Sequence, residues 1–251
     1  ATDLADIKDR RLYRLLEIIP GFLSWATLII LLVFSALKPV WVAYFIIAFD
    51  VYWLLLVVYL GINLLAAYVK MKKNLHIDWR QACAELPPAK INNLNWQDII
   101  HLVIFPTYDE SLEVIRPSFA ALMQDGYPTG RIIMVLAIEE RAGEPAKERA
   151  RVIEREFGDK FRHFLVTVHP DGLVGELKGK GANQTWAAKQ VQREIIDKLG
   201  YDYDKILISV FDMDTVVMPG YFYCLTYKFL TVADPYRASF QPIPVYHNNI
   251  W

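Results

Sequence analysis

Two apolar runs stand back to back near the start of the chain and restrict what it can become. From Gly21 to Leu37 there is no charged residue; Lys38-Pro39 intervenes; from Val40 to Val69 a longer run is broken only by Asp50 and Asn63. A membrane-spanning helix needs about 17–25 such residues, so the first run suffices and the second can span with tilt. A cleaved signal peptide would be a single run with a small-residue cleavage pattern, which is missing. Lys8, Arg10, Arg11 and Arg14 precede the first run, Lys70, Lys72, Lys73 and Arg80 follow the second, and the connection holds only Lys38. This bias predicts a helical hairpin, multi-pass in the cell (inner) membrane, with both ends in the cytoplasm.

Residues Leu4 to Ile19 mix apolar positions with Arg and Asp. They read either as an amphipathic helix at the cytoplasmic interface or as a helical extension of the first span. Asp50, inside the second run, is assigned no role.

Past Lys73 the composition changes. Residues 74–97 carry Pro87-Pro88, Asn92-Asn93 and scattered charge, which reads as a linker with one short helix. The expected division is therefore 1–73 for the amphipathic helix and hairpin, 74–97 for the linker and 98–251 for one further domain. The 251 residues carry a net charge of −1, which gives no hint of nucleic-acid binding, for which a concentrated basic face would be expected. Cys83 and Cys224 lie far apart without metal-ligand spacing and read as reduced thiols.

In the last part, strands and helices alternate. Ile99–Phe105, Arg131–Ile138, Phe161–Val168 and Ile206–Phe211 read as strands. Between and after them, Leu112–Met123 (with Ser111 as N-cap), Glu144–Phe157, Ala182–Leu199 and Pro219 to about Val232 read as helices. Such alternation predicts an α/β fold with a mostly parallel, doubly wound sheet and a ligand at its carboxyl edge. Polar residues gather behind the strands: Pro106-Thr107-Tyr108-Asp109-Glu110, then Glu139-Glu140-Arg141, then Lys178-Gly179-Lys180-Gly181-Ala182-Asn183, then Asp212-Met213-Asp214. Two carboxylates one residue apart at a strand end repel unless a cation lies between them, and Asp oxygens suit Mg²⁺ or Mn²⁺ arriving with phosphates. A solvated acidic turn would have the same short string. The aromatic, the lysines and the helix N-terminus beside these acids together suit a nucleoside diphosphate.

On these motifs the chain resembles the membrane-anchored family-2 glycosyltransferases, over about Ile99 to Trp251. Pro106-Thr107-Tyr108-Asp109-Glu110 matches that family's P-x-Y/F-N-E element, Lys180-Gly181-Ala182-Asn183 its K-x-x-A-x-N region, and Asp212-Met213-Asp214 its D-x-D. The resemblance implies a GT-A-type, Rossmann-like sheet preceded by the two-helix transmembrane hairpin. It implies an inverting, metal-dependent transfer from a nucleoside-diphosphate sugar, a UDP-sugar first, to a lipid or glycan acceptor. Thr107, Tyr108 and Glu110 would line the nucleoside pocket, and Glu139 or Glu140 would meet the base. Lys178 or Lys180, with Asn183, would lie near the diphosphate. Asp212 would approach ribose and metal, and Asp214 would hold the metal (Mg²⁺ or Mn²⁺) against both phosphates. Asp109 stands where the family has Asn, and Glu139-Glu140 where it has an Asp pair. The acidic catalytic base and the Q-x-x-R-W element are expected beyond Trp251, after a strand over Gln241–Trp251. His247, in Val245-Tyr246-His247-Asn248-Asn249, reads as a surface-loop residue, with a metal or acceptor contact as the alternative.

Two rival readings remain. Asp212-Met213-Asp214-Thr215-Val216 fits the first motif of haloacid-dehalogenase-type phosphatases, with Asp212 as nucleophile and Asp214 as acid/base. That fold places its motif near the start of its domain, whereas here three strand–helix units precede it. The other rival is a non-catalytic, membrane-tethered scaffold.

Overall fold

The computed structural model describes residues 6–88, 93–176 and 178–244. The chain divides into two compact units, residues 1–77 with 242–251, and residues 78–241.

In the first unit, helix α1 runs from Ile7 to Leu37 and helix α2 from Pro39 to Leu75. Asp6 caps α1 by accepting a 2.7 Å hydrogen bond from the Lys8 N–H. The helix then continues through Pro20, so the charged N-terminal turns and the apolar run form one element. Lys38 alone separates the helices, and Pro39 opens α2, where a missing N–H costs nothing. Near this turn Thr27, Ile30, Leu31 and Phe34 face Trp41, Val42 and Phe45 across an apolar groove. Both helices are long and apolar enough to cross a membrane, and neither contains a buried residue.

The second unit is an α/β fold. Its strands are β1 (Ile100–Pro106), β2 (Ile132–Glu139), β3 (His163–His169) and β4 (Ile206–Val210), all parallel, in the order β3-β2-β1-β4. Helices α4 (Leu112–Gln124) and α5 (Gly143–Phe157) lie in the β1–β2 and β2–β3 crossovers. Both pack on one sheet face, where Val103, Phe105, Met134 and Leu136 meet Phe119, Leu122, Ile153 and Phe157. From β3 the chain travels back past β1 to reach β4. A right-handed crossover in that reversed direction requires its helix to lie on the opposite face. Helix α6 (Lys180–Val191) does so: Ala187 and Val191 cover Leu102, Ile104, Val135 and Ala137. Strand β2 is buried along its whole length because both faces are covered.

Helix α7 (Tyr221–Thr231) follows β4 and joins the α4/α5 face through Phe222 and Tyr223. The stretch expected as a linker also enters this layer. Asp78 caps a short helix α3 (Trp79–Ala84), and its Trp79 and Cys83 are buried in the same cluster. The Cys83 thiol donates to the Tyr223 carbonyl at 3.3 Å, and both cysteines are free thiols. The helix expected over Ala182–Leu199 starts two residues earlier and changes to a π-helical turn over Gln192–Asp197. Strand β4 stands at the border of the sheet, with Ile208 and Val210 exposed. The strand expected over Gln241–Trp251 falls mostly, and His247 wholly, outside the described residues; 241–244 are not strand.

Candidate functional site

Strands β2 and β3 lie to one side of β1 and β4 to the other, so the chain changes direction between β1 and β4. Ligands of open parallel sheets bind outside the carboxyl ends at such a switch point, where the flanking loops diverge and leave a crevice. The segments after β1 and β4, which carry Thr107–Glu110 and Asp212–Asp214, flank that crevice directly.

Behind β1 the turn is tied by one carboxylate. Glu110 Oε2 accepts from the Thr107 hydroxyl at 2.6 Å and from the Tyr108 N–H at 2.7 Å. Burial alone would raise the Glu110 carboxyl, but these hydrogen bonds outweigh it and hold it below its ordinary range. Thr107 itself is buried, its N–H on the Ala137 carbonyl at 2.9 Å. Tyr108 is left half-exposed. Arg149 reaches Asp109 at 3.2 Å.

Behind β2, Glu139 is buried and ion-paired with Arg141. The Arg141 guanidinium also lies over the Tyr108 ring, 4.7 Å from its centre. One arginine thus connects the loops behind β1 and β2. Glu140 points the other way and accepts from the Asp171 N–H at 2.9 Å, holding the loop behind β3. Lys178 pairs with Asp171 at 2.7 Å and keeps that carboxyl below its ordinary value. Buried His169, at the end of β3, bonds Glu176 at 2.9 Å and meets the Trp186 ring edge-on.

Lys180 occupies the first turn of α6, beginning after Gly179, whose φ of 152° disfavours a side chain. Its ammonium contacts the Asp212 carboxylate, joining the α6 N-terminus to the segment behind β4. Phe211 and Met213 are buried while Asp212 and Asp214 are exposed, so both carboxylates emerge on the solvent side. The backbone between them is fixed from below: the buried Ser118 hydroxyl donates to the Met213 carbonyl at 2.7 Å. The Thr215 N–H closes the turn on the Asp212 carbonyl at 2.9 Å. Asn183 is almost fully buried, its amide donating to the Ala137 carbonyl at 2.9 Å; its Oδ1 and the Thr167 hydroxyl, both on the α6 face, have no protein partner.

The predicted residues are therefore joined in groups: Thr107, Tyr108 and Glu110 with Glu139 through Arg141; Glu140 with Lys178 through Asp171; and Lys180 with Asp212. Asn183 supports β2 from beneath α6. Arg141 and Ser118 are the functional candidates that sequence reasoning did not assign. Arg141 was visible beside Glu139-Glu140, but nothing local signals that it reaches Tyr108. Ser118 is an unremarkable residue inside a helix.

Among the described residues, no group of three or more His, Cys, Asp and Glu side chains is placed to hold a metal. Asp212 and Asp214 offer a two-carboxylate donor set on one side of the backbone. That set fits an ion of the Mg²⁺ type, which takes one or two carboxylates and completes its shell with water and substrate phosphates.

No protein-family model matches the chain, and no curated protein or solved structure matches it. Fold and site define a class: a doubly wound, all-parallel α/β unit preceded in sequence by two long apolar helices.

Proposed function

We propose that this chain contains the donor-binding unit of a membrane-anchored, inverting glycosyltransferase with a GT-A-type fold, acting on a nucleoside-diphosphate sugar. The observation that carries this reading is the Lys180–Asp212 contact at the sheet's switch point, with Asp214 on the same exposed side. A diphosphate needs cationic and N–H donors together, and Lys180 in the first turn of α6 offers both. Tyr108, held flat beneath Arg141, supplies a surface for the base, and Glu139 or Glu140 accepts from its N–H groups. Thr107 and Glu110 set the Tyr108 backbone rather than reach far into the crevice.

Asp212 and Asp214 would hold Mg²⁺ or Mn²⁺, which when bound supplies Lewis-acid stabilisation of the leaving diphosphate. In this reading Lys180 moves from Asp212 to a phosphate as the donor enters, leaving the carboxylate to the ion. The acceptor is a lipid or a growing glycan at the bilayer surface. In the same reading the hairpin crosses the cell membrane twice, and the basic flanks of both helices favour a cytoplasmic location for the catalytic unit.

The test is calorimetric titration of the purified chain with UDP and other nucleoside diphosphates, with and without Mn²⁺. Binding should require the ion and disappear in Asp214→Ala. Metal-independent binding, or no nucleotide binding at all, would favour the scaffold reading. Phosphatase turnover that depends on Asp212 would favour the haloacid-dehalogenase type.

A further inference from the structure

The hairpin carries more positive charge than a linker between two spans and a catalytic unit needs. Residues 1–77 hold eight Lys and Arg against five Asp and Glu, a formal charge of +3, whereas the rest of the chain is at −4. Seven of those eight cations lie at the outer ends of the helices: Lys8, Arg10, Arg11 and Arg14 on α1, and Lys70, Lys72 and Lys73 on α2.

Because α1 is continuous from Ile7 to Leu37, helical rise fixes how far each residue lies along its axis. The charge-free turns Ile18–Leu37 measure about 30 Å, the thickness of a bilayer's hydrocarbon core. Arg14 then stands about 6 Å beyond the core and Arg10 about 12 Å. The headgroup layer is about 5–8 Å deep on each side, so these arginines bracket the depth of the lipid phosphates. Arg10, Arg11 and Arg14 are spaced i, i+1 and i+4 and so share one side of the helix. Arg14 keeps a side-chain exposure of 69% while pairing with Glu17 at 3.0 Å. With Lys38 alone between the helices, the chain turns straight back. In a bilayer, Lys70, Lys72 and Lys73 therefore emerge on the same face as the arginines. Lys72 lies over the Tyr68 ring at 5.2 Å.

We infer that this end of the hairpin binds anionic phospholipid headgroups, with Arg10, Arg11 and Arg14 as the phosphate-facing side. Guanidinium groups meet phosphate oxygens in a planar, two-bonded fork, which gives arginines at this depth a specific partner as well as a favourable potential. Among the described residues of α1 and its cap, the acidic groups at the same end are Asp6, Asp9 and Glu17; Asp6 caps the helix and Glu17 pairs with Arg14.

The inference rests on the reading that α1 and α2 cross a bilayer, and incorporation of the full chain into nanodiscs of neutral phosphatidylcholine tests that reading by itself. The inference is then tested with the full chain in neutral detergent, by native mass spectrometry during titration with phosphatidylglycerol or phosphatidylcholine. Phosphatidylglycerol should be retained preferentially, and the preference should fall about tenfold or more when Arg10, Arg11 and Arg14 are all changed to Gln. Arg→Lys at the same three positions should keep more of it than Arg→Gln, because the charge stays while the fork is lost, and this separates recognition from misfolding. Equal retention of both lipids, or an unchanged preference in the Gln variant, would overturn the inference and leave the charges a topological role only. Displacement of the lipid by millimolar inorganic phosphate would also overturn it, by making free phosphate the ligand.

Discussion

The Ser118 hydroxyl, buried in the middle of α4, donates a 2.7 Å hydrogen bond to the carbonyl of Met213. The two residues are 95 positions apart, and the bond fixes the backbone from which Asp212 and Asp214 project. Ser118→Ala would leave a buried carbonyl without its donor. The expected cost is about 1–3 kcal/mol of stability. Metal-dependent nucleotide affinity should fall as well, although no charge has changed. Chemical denaturation and calorimetry on the same preparation check both.

Lys180→Gln should act in the opposite proportion. The Lys180–Asp212 pair is half-exposed on both sides, and pairs of that kind contribute about 0–1 kcal/mol to stability. The melting temperature should therefore barely move. Nucleoside diphosphate affinity should fall about tenfold or more, because a charge-assisted bond to phosphate has gone. An unchanged affinity would remove Lys180 from the site.

Arg141→Ala strands the buried Glu139 carboxylate and uncovers the Tyr108 ring. A loss of about 1–3 kcal/mol is expected from the unsatisfied acid. Arg141→Lys keeps the charge but not the flat stacking surface. It should recover most of the stability and little of the nucleotide affinity. Recovery of both would show that Arg141 acts through Glu139 alone.

Two buried groups give the second unit opposing responses to acid. Burial lowers His101 from 6.5 to about 3; its ring is packed against Tyr127 and Phe222, with Nε2 2.9 Å from the Thr226 hydroxyl. The unfolded chain takes up a proton there below about pH 6.5 while the folded chain does not, so stability is lost as pH falls from 6.5 towards 3. Asp125 is pushed up from 3.8 to about 6 by burial, partly offset by the Phe222 and Tyr127 N–H groups that its carboxylate accepts from. Its contribution has the other sign: present below pH 3.8, and lost as pH rises through 6. Between about pH 4 and 6 the two largely cancel. Asp125→Asn should expose the His101 response, a fall of up to about 1.4 kcal/mol per pH unit on acidification. His101→Gln should leave a chain that weakens as pH rises through the same window. Denaturation midpoints collected from pH 4 to 7 decide it.

The strand runs and the helix-forming stretches between them were readable because parallel strands covered on both faces are continuously apolar. The polar clusters behind each strand were readable for a related reason, since strand direction sends them all to one edge. What could not be read depends on contacts between distant residues. Trp79 and Cys83 lie in a polar stretch with Pro and Asn, and only their burial against α7 makes that stretch part of the core. The same holds for Arg141 over Tyr108 and for Ser118 beneath Met213. Asn183, read from its motif as a residue near the diphosphate, is buried with its amide on β2, because the fourth residue of α6 faces the sheet.

Strand β4 has a hydrogen-bonded neighbour, β1, on one side only among the described residues, and it carries exposed Ile208 and Val210 on the stretch that leads into Asp212. An uncovered strand of this kind is a template on which another chain can extend the sheet. Where no other segment covers this border, concentrated preparations should self-associate along it, beside the proposed donor crevice. A lysine introduced at position 208 is the simplest gatekeeper against fibrillar assembly.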